Sequence, residues 1–201
     1  DVYDISENDS DNVGIRTAVL QKIFNTRDAG QPVSMNYTGE PDNIDISFEN
    51  KKDDTKYIPK YFTIPLIEIE QAMLSIPDSD YPIEFSIPTK TFSTLVAQLL
   101  GFGDEIKFKC NEELINIKSM NYEGSMTVTL LDETNEYISE FLIEEETDTE
   151  IKFSNKFFTH FCAFSKLSQE VALKLSDSSP MQMKYNISEH SFMRFYLAPL
   201  D

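Results

Sequence analysis

Two kinds of hydrophobic spacing alternate along the chain and predict short helices separated by groups of strands. Apolar residues recur at helical intervals in three segments, residues 14–25, 89–102 and 155–165. Alternating apolar and polar residues predict strands over residues 33–37, 43–48, 57–67, 83–87, 105–110, 114–119, 125–131, 136–143, 151–153, 170–175, 181–187 and 192–198. After residue 82 the order strand, helix, strands occurs twice, which predicts an internal repeat of one supersecondary unit.

The helix ends and buried faces also have sequence signals. Thr89 is the expected N-cap of the second helix, and Gly101 and Gly103 are expected to close it. The third helix is expected to bury an apolar face made of Phe157, Phe161 and Cys162 or Phe164.

Residues 66–81 lack a clean hydrophobic period and separate the first helix-and-strand group from the repeat. This stretch mixes acidic side chains with the apolar residues Leu74 and Ile76. A solvated linker is normally polar, so two interpretations are open. The apolar residues fold back onto the domain that they leave, or they form a docking surface for a partner.

Composition places the chain among globular proteins of one or two domains. It has 201 residues, of which 40% are hydrophobic, and its mean hydropathy is −0.34. No apolar run approaches the length of a membrane span, and no secretory signal opens the sequence, which together predict an intracellular protein. Cys110 and Cys162 lie in apolar patterns and are predicted to be buried free thiols.

The charge distribution changes what the net charge implies. A net charge of −18 argues against nucleic-acid binding, because phosphates are bound by Lys and Arg. Yet the three predicted helices contain none of the 35 acidic residues. Chance in short segments is one interpretation, and helix faces that share an environment repelling acids, such as a phosphate backbone, are the other. These helices instead carry basic residues, Arg16, Lys22, Lys90, Lys156 and the neighbouring His160.

The sequence contains no arrangement that predicts catalysis. The acidic residues 144–146 and Asp148 have no His or Cys beside them, so a solvated loop is the preferred interpretation. His160, His190 and the two cysteines do not build a Ser-His-Asp or Cys-His set, and no glycine loop of a phosphate-binding kind is present. A protein that is not an enzyme, with no catalytic residue, no metal and no cofactor, is therefore expected.

Several motifs together resemble one known family. They are the run from Leu66 through Ser75-Ile76-Pro77 to Tyr81, then Ile87-Pro88-x-x-x-Phe92, Gly103-Asp104, Cys110, and Phe195-Tyr196-Leu197-Ala198-Pro199. This pattern resembles the eukaryotic sliding clamp, the proliferating cell nuclear antigen family, from about residue 14 to residue 199. The resemblance implies an α+β fold of sliding-clamp (DNA clamp, processivity-fold) architecture, with helices lining a central channel and antiparallel sheets outside.

The resemblance also implies a domain organisation. Residues 1–65 would be the C-terminal part of a first clamp domain, residues 66–82 the interdomain connector and residues 83–201 a second clamp domain. The opening unit of the family's first domain has no counterpart here. Two explanations are open, a fragment of a longer chain and a naturally truncated protein.

The function implied is that of a ring-forming DNA polymerase processivity factor. A homotrimer would encircle double-stranded DNA, be placed there by a clamp loader, and tether replication and repair proteins through a peptide-binding pocket. Its location would be the nucleus or a viral replication site. Two alternatives are a checkpoint-type or scaffold clamp subunit that assembles with unlike subunits and binds DNA poorly, and a monomeric peptide-binding module.

Three surfaces follow from the resemblance. The partner-peptide pocket takes a single 3₁₀ turn with one aliphatic and two aromatic anchors, and is formed by Leu74, Ile76, Tyr81, Pro180, Tyr196, Ala198 and Pro199. The DNA channel contains Arg16, Lys22, Lys90, Lys156 and His160, with neutral residues at the family's basic positions Asn25, Thr94, Ala97 and Ala163. The subunit interface joins two unlike strand edges, one with Ile64 and an outward-facing Phe62, the other with Gly124, Met126 and Val128.

Overall fold

The computed structural model of the chain describes residues 13–37, 42–52, 54–68, 79–131 and 138–200. Its helices and strands divide into two compact units, the first within Asp1–Ile76 and the second within Pro77–Asp201. Every strand pairing that the structure describes is antiparallel. None of the helices in the described ranges is long and apolar enough to cross a membrane.

The first unit is one helix followed by a three-stranded antiparallel sheet. Helix α1 (Thr17–Phe24) precedes β1 (Val33–Asn36), β2 (Asn43–Phe48) and β3 (Lys60–Pro65), which pair in the order β1-β2-β3. The helix contributes Ile23 to a core whose other fully buried members come from the sheet. These are Ile44, Ile46, Phe48 and Ile64.

The second unit contains two sheets and two helices. Its elements in chain order are β4 (Ile83–Pro88), α2 (Thr89–Leu100), β5 (Glu105–Asn111), β6 (Leu114–Met120), β7 (Ser125–Leu131), β8 (Glu140–Ile143), β9 (Asp148–Ser154), α3 (Asn155–Cys162), β10 (Glu170–Leu175), β11 (Met181–Ser188) and β12 (Ser191–Leu197). One sheet has the strand order β12-β11-β10-β4-β8, and the other has the order β7-β6-β5-β9. The predicted repeat is confirmed, because β4-α2-β5-β6-β7 and, after the additional strand β8, β9-α3-β10-β11-β12 have the same order of elements.

The two repeats exchange their first strands. Strand β4 pairs with β10 of the other repeat, and β9 pairs with β5. Helices α2 and α3 pack against each other, and one hydrophobic core includes both helices and both sheets. Phe158 of α3 lies within this core, with its ring centroid 6.2 Å from those of Phe92, Phe108 and Phe153. This single core makes the two repeats one folding unit.

The structure corrects the expected start of α2. Thr89 is its first residue and not its N-cap, which is Pro88. The Thr89 hydroxyl is buried and donates to the carbonyl oxygen of Ser168 at 2.8 Å, so it joins the helix to the loop before β10. Gly101 closes α2 as predicted, with a right-handed φ of −68°. Gly103 lies beyond the helix, where an added Cβ would approach the Met120 carbonyl oxygen to 2.5 Å.

The buried face of α3 also differs from the prediction. Phe157 is 40% exposed, whereas Phe158 is fully buried and Phe161 is only partly buried. The reason is that α3 begins at Asn155, whose side-chain amide is buried and donates to the Gly103 carbonyl oxygen at 2.9 Å. This anchor sets the helix phase so that positions 155, 158 and 162 face inward. The predicted strand 136–143 begins at Glu140, and residues 136 and 137 lie outside the described ranges.

Candidate functional site

Tyr81, Pro180 and Tyr196 come together on the second unit, as the peptide-pocket prediction requires. The Tyr81 hydroxyl donates to the Pro180 carbonyl oxygen at 3.0 Å. Burial raises the pKa of Tyr81, and the neighbouring Tyr196 raises it further, so the two phenols are close. The Tyr196 hydroxyl in turn donates to the side-chain oxygen of Gln182 at 2.9 Å. We call this group of four residues the tyrosine site.

The strand pairing explains why these side chains meet. Pro180 immediately precedes β11, and Gln182 of β11 lies directly opposite Tyr196 of β12. The adjacent pair, Met181 and Leu197, points to the opposite face of the sheet and belongs to the core. The core therefore fixes the strands that carry Gln182 and Tyr196. Both tyrosines are half-buried, which leaves an apolar surface with a polar tip for a ligand.

The other predicted pocket residues have different outcomes. Pro199 is half-buried and Ala198 is exposed, and both follow β12 directly. The chain then continues beside β9, because the Leu200 amide donates to the Lys152 carbonyl oxygen at 2.8 Å. The predicted pocket residues Leu74 and Ile76 lie outside the described residues.

Gln182 is a site residue that the sequence analysis missed. It is only 7% exposed, and its side-chain oxygen accepts the Tyr196 hydrogen bond. The available signal was a polar residue between Met181 and Met183 in a strand with alternating pattern. That alternation places Gln182 on the same face as Tyr196, but only the register shows that the two are opposite each other.

The predicted DNA-contacting residues are all on the surface. Arg16, Lys22, Lys90, Lys156 and His160 are exposed. Like the predicted helices, the observed helices contain no acidic residue. The neutral residues Asn25, Thr94, Ala97 and Ala163 are exposed as well. The helix surfaces therefore have a weak positive charge on a strongly acidic chain.

Each helix begins with a cation where its own dipole favours an anion. Arg16 is the N-cap of α1, and Lys90 and Lys156 are the second residues of α2 and α3. A charge of unfavourable sign in the first turn costs about 0.3–1 kcal/mol. Three such placements do not stabilise the helices, which supports a role for these cations in binding an anionic ligand.

The strands predicted to join subunits are both sheet edges. Strand β3 is at one edge of the first unit's sheet, and β7 is at one edge of the four-stranded sheet. The Leu66 amide donates to the backbone carbonyl oxygen of Asp42 at 2.8 Å, so residues 42 and 66 are a hydrogen-bonded pair. Hydrogen-bonded and non-hydrogen-bonded pairs alternate along an antiparallel ladder, so the next pair, Asn43 and Pro65, is not hydrogen-bonded. Tyr61, Thr63 and Pro65 therefore direct their backbone groups toward the free edge, where Pro65 needs no N–H.

The same alternation applies to β7. The Asn121 amide donates to the Gly124 carbonyl oxygen at 2.9 Å, which closes the turn between β6 and β7. It follows from the register that Ser125, Thr127 and Thr129 direct their N–H and C=O groups away from β6. Both edges thus offer backbone donors and acceptors to another strand.

The prediction that Phe62 faces outward is wrong. Its side chain packs against the core of the first unit, with its ring centroid 5.4 Å from that of Phe48. Ile64 is buried in the same core, and Met126 and Val128 pack against the core of the second unit. Gly124 belongs to the turn, where its amide donates to the Asn121 side chain. The free edges of β3 and β7 therefore offer backbone N–H and C=O groups to another strand. The side chains that alternate with these core-facing residues are exposed on the surface of the sheet.

Metal and catalytic chemistry have no structural support among the described residues. In that part of the chain no group of three His, Cys, Asp or Glu side chains is placed to hold a metal ion. Cys110 and Cys162 are buried free thiols, as predicted. The predicted absence of a catalytic residue stays a prediction.

The fold and these surfaces together define the class of protein. An α+β fold of antiparallel sheets with open edges and with helices free of acidic residues fits the class of DNA sliding clamp subunits. The family model described as Proliferating cell nuclear antigen, C-terminal domain, matches residues 75–200. The chain therefore belongs to the proliferating cell nuclear antigen family.

Curated relatives agree along nearly the whole chain. Proliferating cell nuclear antigen of Chaetomium thermophilum is 27% identical over 189 residues, which cover 93% of this chain and 72% of the relative. Proliferating cell nuclear antigen 1 of Plasmodium falciparum is 28% identical over 200 residues, with 93% and 72% covered. Proliferating cell nuclear antigen of Caenorhabditis elegans is 27% identical over 192 residues, with 94% and 72% covered.

Membership of this family confirms the predicted fold class and the general function. The chain is an α+β sliding clamp, a processivity factor of DNA replication and repair. Clamps of this family are trimeric, bind DNA topologically, are loaded by a clamp loader and hold polymerases and repair proteins through peptide motifs. They are processivity factors and not enzymes.

Proposed function

We propose that this chain holds its partner proteins at the tyrosine site. The observation that carries the proposal is the hydrogen-bonded arrangement of Tyr81 with Pro180 and of Tyr196 with Gln182. These bonds occupy the polar tips of both phenols and leave half-buried ring surface for an apolar ligand. Pro180 and Pro199 add rigid walls that lose little entropy when a ligand binds.

The ligand is a short peptide with one aliphatic and two aromatic anchors on a single 3₁₀ turn. Each buried anchor contributes about 1.5–3 kcal/mol, and the cost of ordering a free peptide offsets much of this gain. A dissociation constant on the order of micromolar follows. The acidic residue Asp80, directly before Tyr81 in the sequence, favours basic residues beside the anchors.

Calorimetry with a Tyr196→Ala variant tests the assignment. We expect the peptide to bind about 10- to 100-fold more weakly, because the variant removes a large apolar wall from the site. Phe192→Ala is the matched control, since Phe192 is a 52% exposed aromatic residue of the same strand that lies outside the site. Equal affinities for the two variants would place the peptide elsewhere.

The domain organisation and the assembly belong to the same proposal. Residues 1–65 supply the C-terminal part of a first clamp domain, residues 66–82 the connector and residues 83–201 a second clamp domain. Strand β3 of one copy pairs with β7 of the next, and such head-to-tail contacts close into a homotrimer. Double-stranded DNA meets the cations Arg16, Lys22, Lys90, Lys156 and His160, and the protein works in the nucleus.

A second candidate function is a checkpoint-type or scaffold subunit that assembles with unlike subunits. The observation that favours it is the neutral character of the exposed helix positions Asn25, Thr94, Ala97 and Ala163. The native mass of the isolated chain separates the two candidates. A homotrimer has three times the chain mass of 23.1 kDa, whereas a subunit that needs unlike partners stays monomeric by itself.

A further inference from the structure

The outward face of the four-stranded sheet carries an unusual group of lysines. Lys107 and Lys109 of β5, Lys118 of β6 and Lys152 of β9 share this face, because their neighbours in each strand are buried in the core. We call these four residues the lysine face. Lys107 lies directly opposite Lys118 on one side and opposite Lys152 on the other.

This arrangement is unfavourable for the folded chain by itself. Like charges directly opposite each other on neighbouring strands destabilise a sheet, and Lys is a poor strand former. Three acidic side chains share the face, Glu105, Asp148 and Glu150, and the carboxylate of Glu150 accepts a hydrogen bond from Lys107 at 2.7 Å. Within the described ranges, Lys109, Lys118 and Lys152 form no ion pair. The chain has twice as many acidic as basic residues, 35 against 17, so this local excess of positive charge runs against its composition.

The positive charges of the lysine face converge near the Glu150 carboxylate. The hydrogen bond from Lys107 lowers the pKa of Glu150 first, and the charges of Lys107, Lys152 and Lys109 lower it further. A depression of about 230 Å³ lies on this face. Its lining consists of Lys107, Lys109, Lys118 and Glu150, together with Asn116 and Thr127 as neutral hydrogen-bonding groups. A carboxylate that enters the depression meets several ammonium groups at once.

The size and surroundings of the lysine face favour a short anionic segment over a nucleic acid. Three lysines in one row across β9, β5 and β6 span about 10 Å, since neighbouring strands are about 4.8 Å apart. The lining contains no aromatic side chain for base stacking and no Arg for paired phosphate contacts. Exposed acids lie at the strand ends of the face, at Glu105 and Asp148, and in the turn beside it, at Glu112 and Glu113, and they would repel a longer polyanion.

We propose that the lysine face is a docking surface for a short acidic segment of a partner protein. Two or three Asp or Glu carboxylates of the segment contact Lys107, Lys109, Lys118 and Lys152, and Asn116 and Thr127 bind its remaining polar groups. This surface contains no residue of the tyrosine site and does not depend on it. A partner can therefore hold the clamp by an apolar anchor at one site and by an acidic stretch at another.

The probe is a fluorescent peptide of six glutamates, measured by anisotropy against the full chain at low salt. The test variant is K109E/K118E, because neither lysine has an ion-pair partner in the described structure. The matched control is K51E/K52E, which makes the same charge change at two exposed lysines of the first unit. We expect K109E/K118E to weaken binding at least about ten-fold and the control to change it less than about two-fold. Carbodiimide cross-linking of the peptide should map to the lysine face by mass spectrometry.

The following outcomes would overturn the proposal. Equal weakening by both variants would mean that only net charge matters. Unchanged binding to K109E/K118E, or cross-links away from the four lysines, would place the acidic segment elsewhere. Binding of a 20-base-pair duplex that depends on Lys109 and Lys118, without binding of the peptide, would assign the face to nucleic acid.

Two controls accompany the experiment. A six-glutamine peptide should not bind, and unchanged thermal unfolding of K109E/K118E would show that its folding is unaffected.

Discussion

At the scale of single residues, the two cysteines report on how tightly the second unit is packed. Cys110 is 0% exposed, and burial raises its thiol pKa to about 12. Burial likewise raises the thiol pKa of Cys162 to about 11, although a hydrogen bond with Ser93 opposes the shift. Because the thiolate is the reactive form, we expect neither cysteine of the native chain to react with an aromatic disulfide reagent at pH 8. After denaturation both should react, and a fast-reacting native thiol would contradict the packed core.

The same shifts predict a loss of stability at alkaline pH. In the unfolded chain the Cys110 thiol has its ordinary pKa of 9.0 and ionises more readily than in the folded chain. The contribution of this thiol to the free energy of unfolding is therefore complete below pH 9. It is lost as the pH rises from 9 toward about 12 for Cys110 and about 11 for Cys162. Burial also raises the pKa of Tyr185, which acts in the same direction. The free energy of unfolding in urea should fall over this window, and Cys110→Ala should show a shallower fall from a lower starting value.

At the scale of the elements, the link from α2 to β5 depends on the absence of a side chain at Gly103. A Cβ there would lie 2.5 Å from the Met120 carbonyl oxygen, and backbone atoms cannot move aside easily. Gly103→Ala should therefore lower the free energy of unfolding by roughly 1–3 kcal/mol. Gly124→Ala is the control, because its Cβ would meet Phe102 at an ordinary 3.8 Å. Urea unfolding measures both, and equal effects would show that Gly103 is not a point of close approach.

The edge strand β7 offers a test of assembly that spares the core. Thr127 directs its N–H to the free edge, so Thr127→Pro removes a donor and adds bulk there without removing a hydrogen bond of the β6–β7 ladder. We expect the native mass, measured by light scattering, to fall from the trimer toward the single chain. Thr127→Val is the control, since it keeps the N–H and should keep the trimer. A trimer that survives Thr127→Pro would show that β7 is not the interface.

At the scale of the whole molecule, mixing two edge variants distinguishes a head-to-tail assembly from a symmetric one. Tyr61 is 69% exposed on β3, and Tyr61→Pro blocks that edge in the same way. A head-to-tail contact leaves one intact edge on each variant, so an equal mixture with Thr127→Pro should form dimers. Each variant by itself should stay monomeric. Dimers of either single variant would indicate a symmetric interface.

The second prediction at this scale concerns DNA. The few exposed cations of the helices should bind linear duplex weakly, and each neutralised phosphate contributes a slope of about −0.9 to the dependence of log K on log salt. Once loaded on circular DNA, the clamp should be retained at moderate salt and released when the DNA is cut. K90E/K156E should weaken contact with linear duplex more than K51E/K52E, which makes the same charge change. Salt-resistant binding to linear duplex would contradict retention by topology.

Much of the fold and part of the site could be predicted from the sequence, because their causes are local. The 3.6- and 2-residue periods gave the helices, most strands and the internal repeat, since a side chain's direction depends on its own segment. The acid-free helices were visible in the composition of three short segments. The resemblance of several motifs led to the correct family. The placement of Tyr81, Pro180 and Tyr196 in one site was predicted only through that resemblance.

Tertiary structure alone decided the features that depend on distant residues. The exchange of β4 and β9 between the repeats follows from burying one common core, which no single repeat encodes. Asn155 sets the phase of α3 by its hydrogen bond to Gly103, so Phe158 and not Phe157 is buried. Phe62 faces the core because the strand's register is set by pairing with β2. The lysine face arises in the same way, because strands from separate parts of the chain place its lysines side by side. The neighbours of a side chain across a sheet are set by strand pairing and not by sequence order.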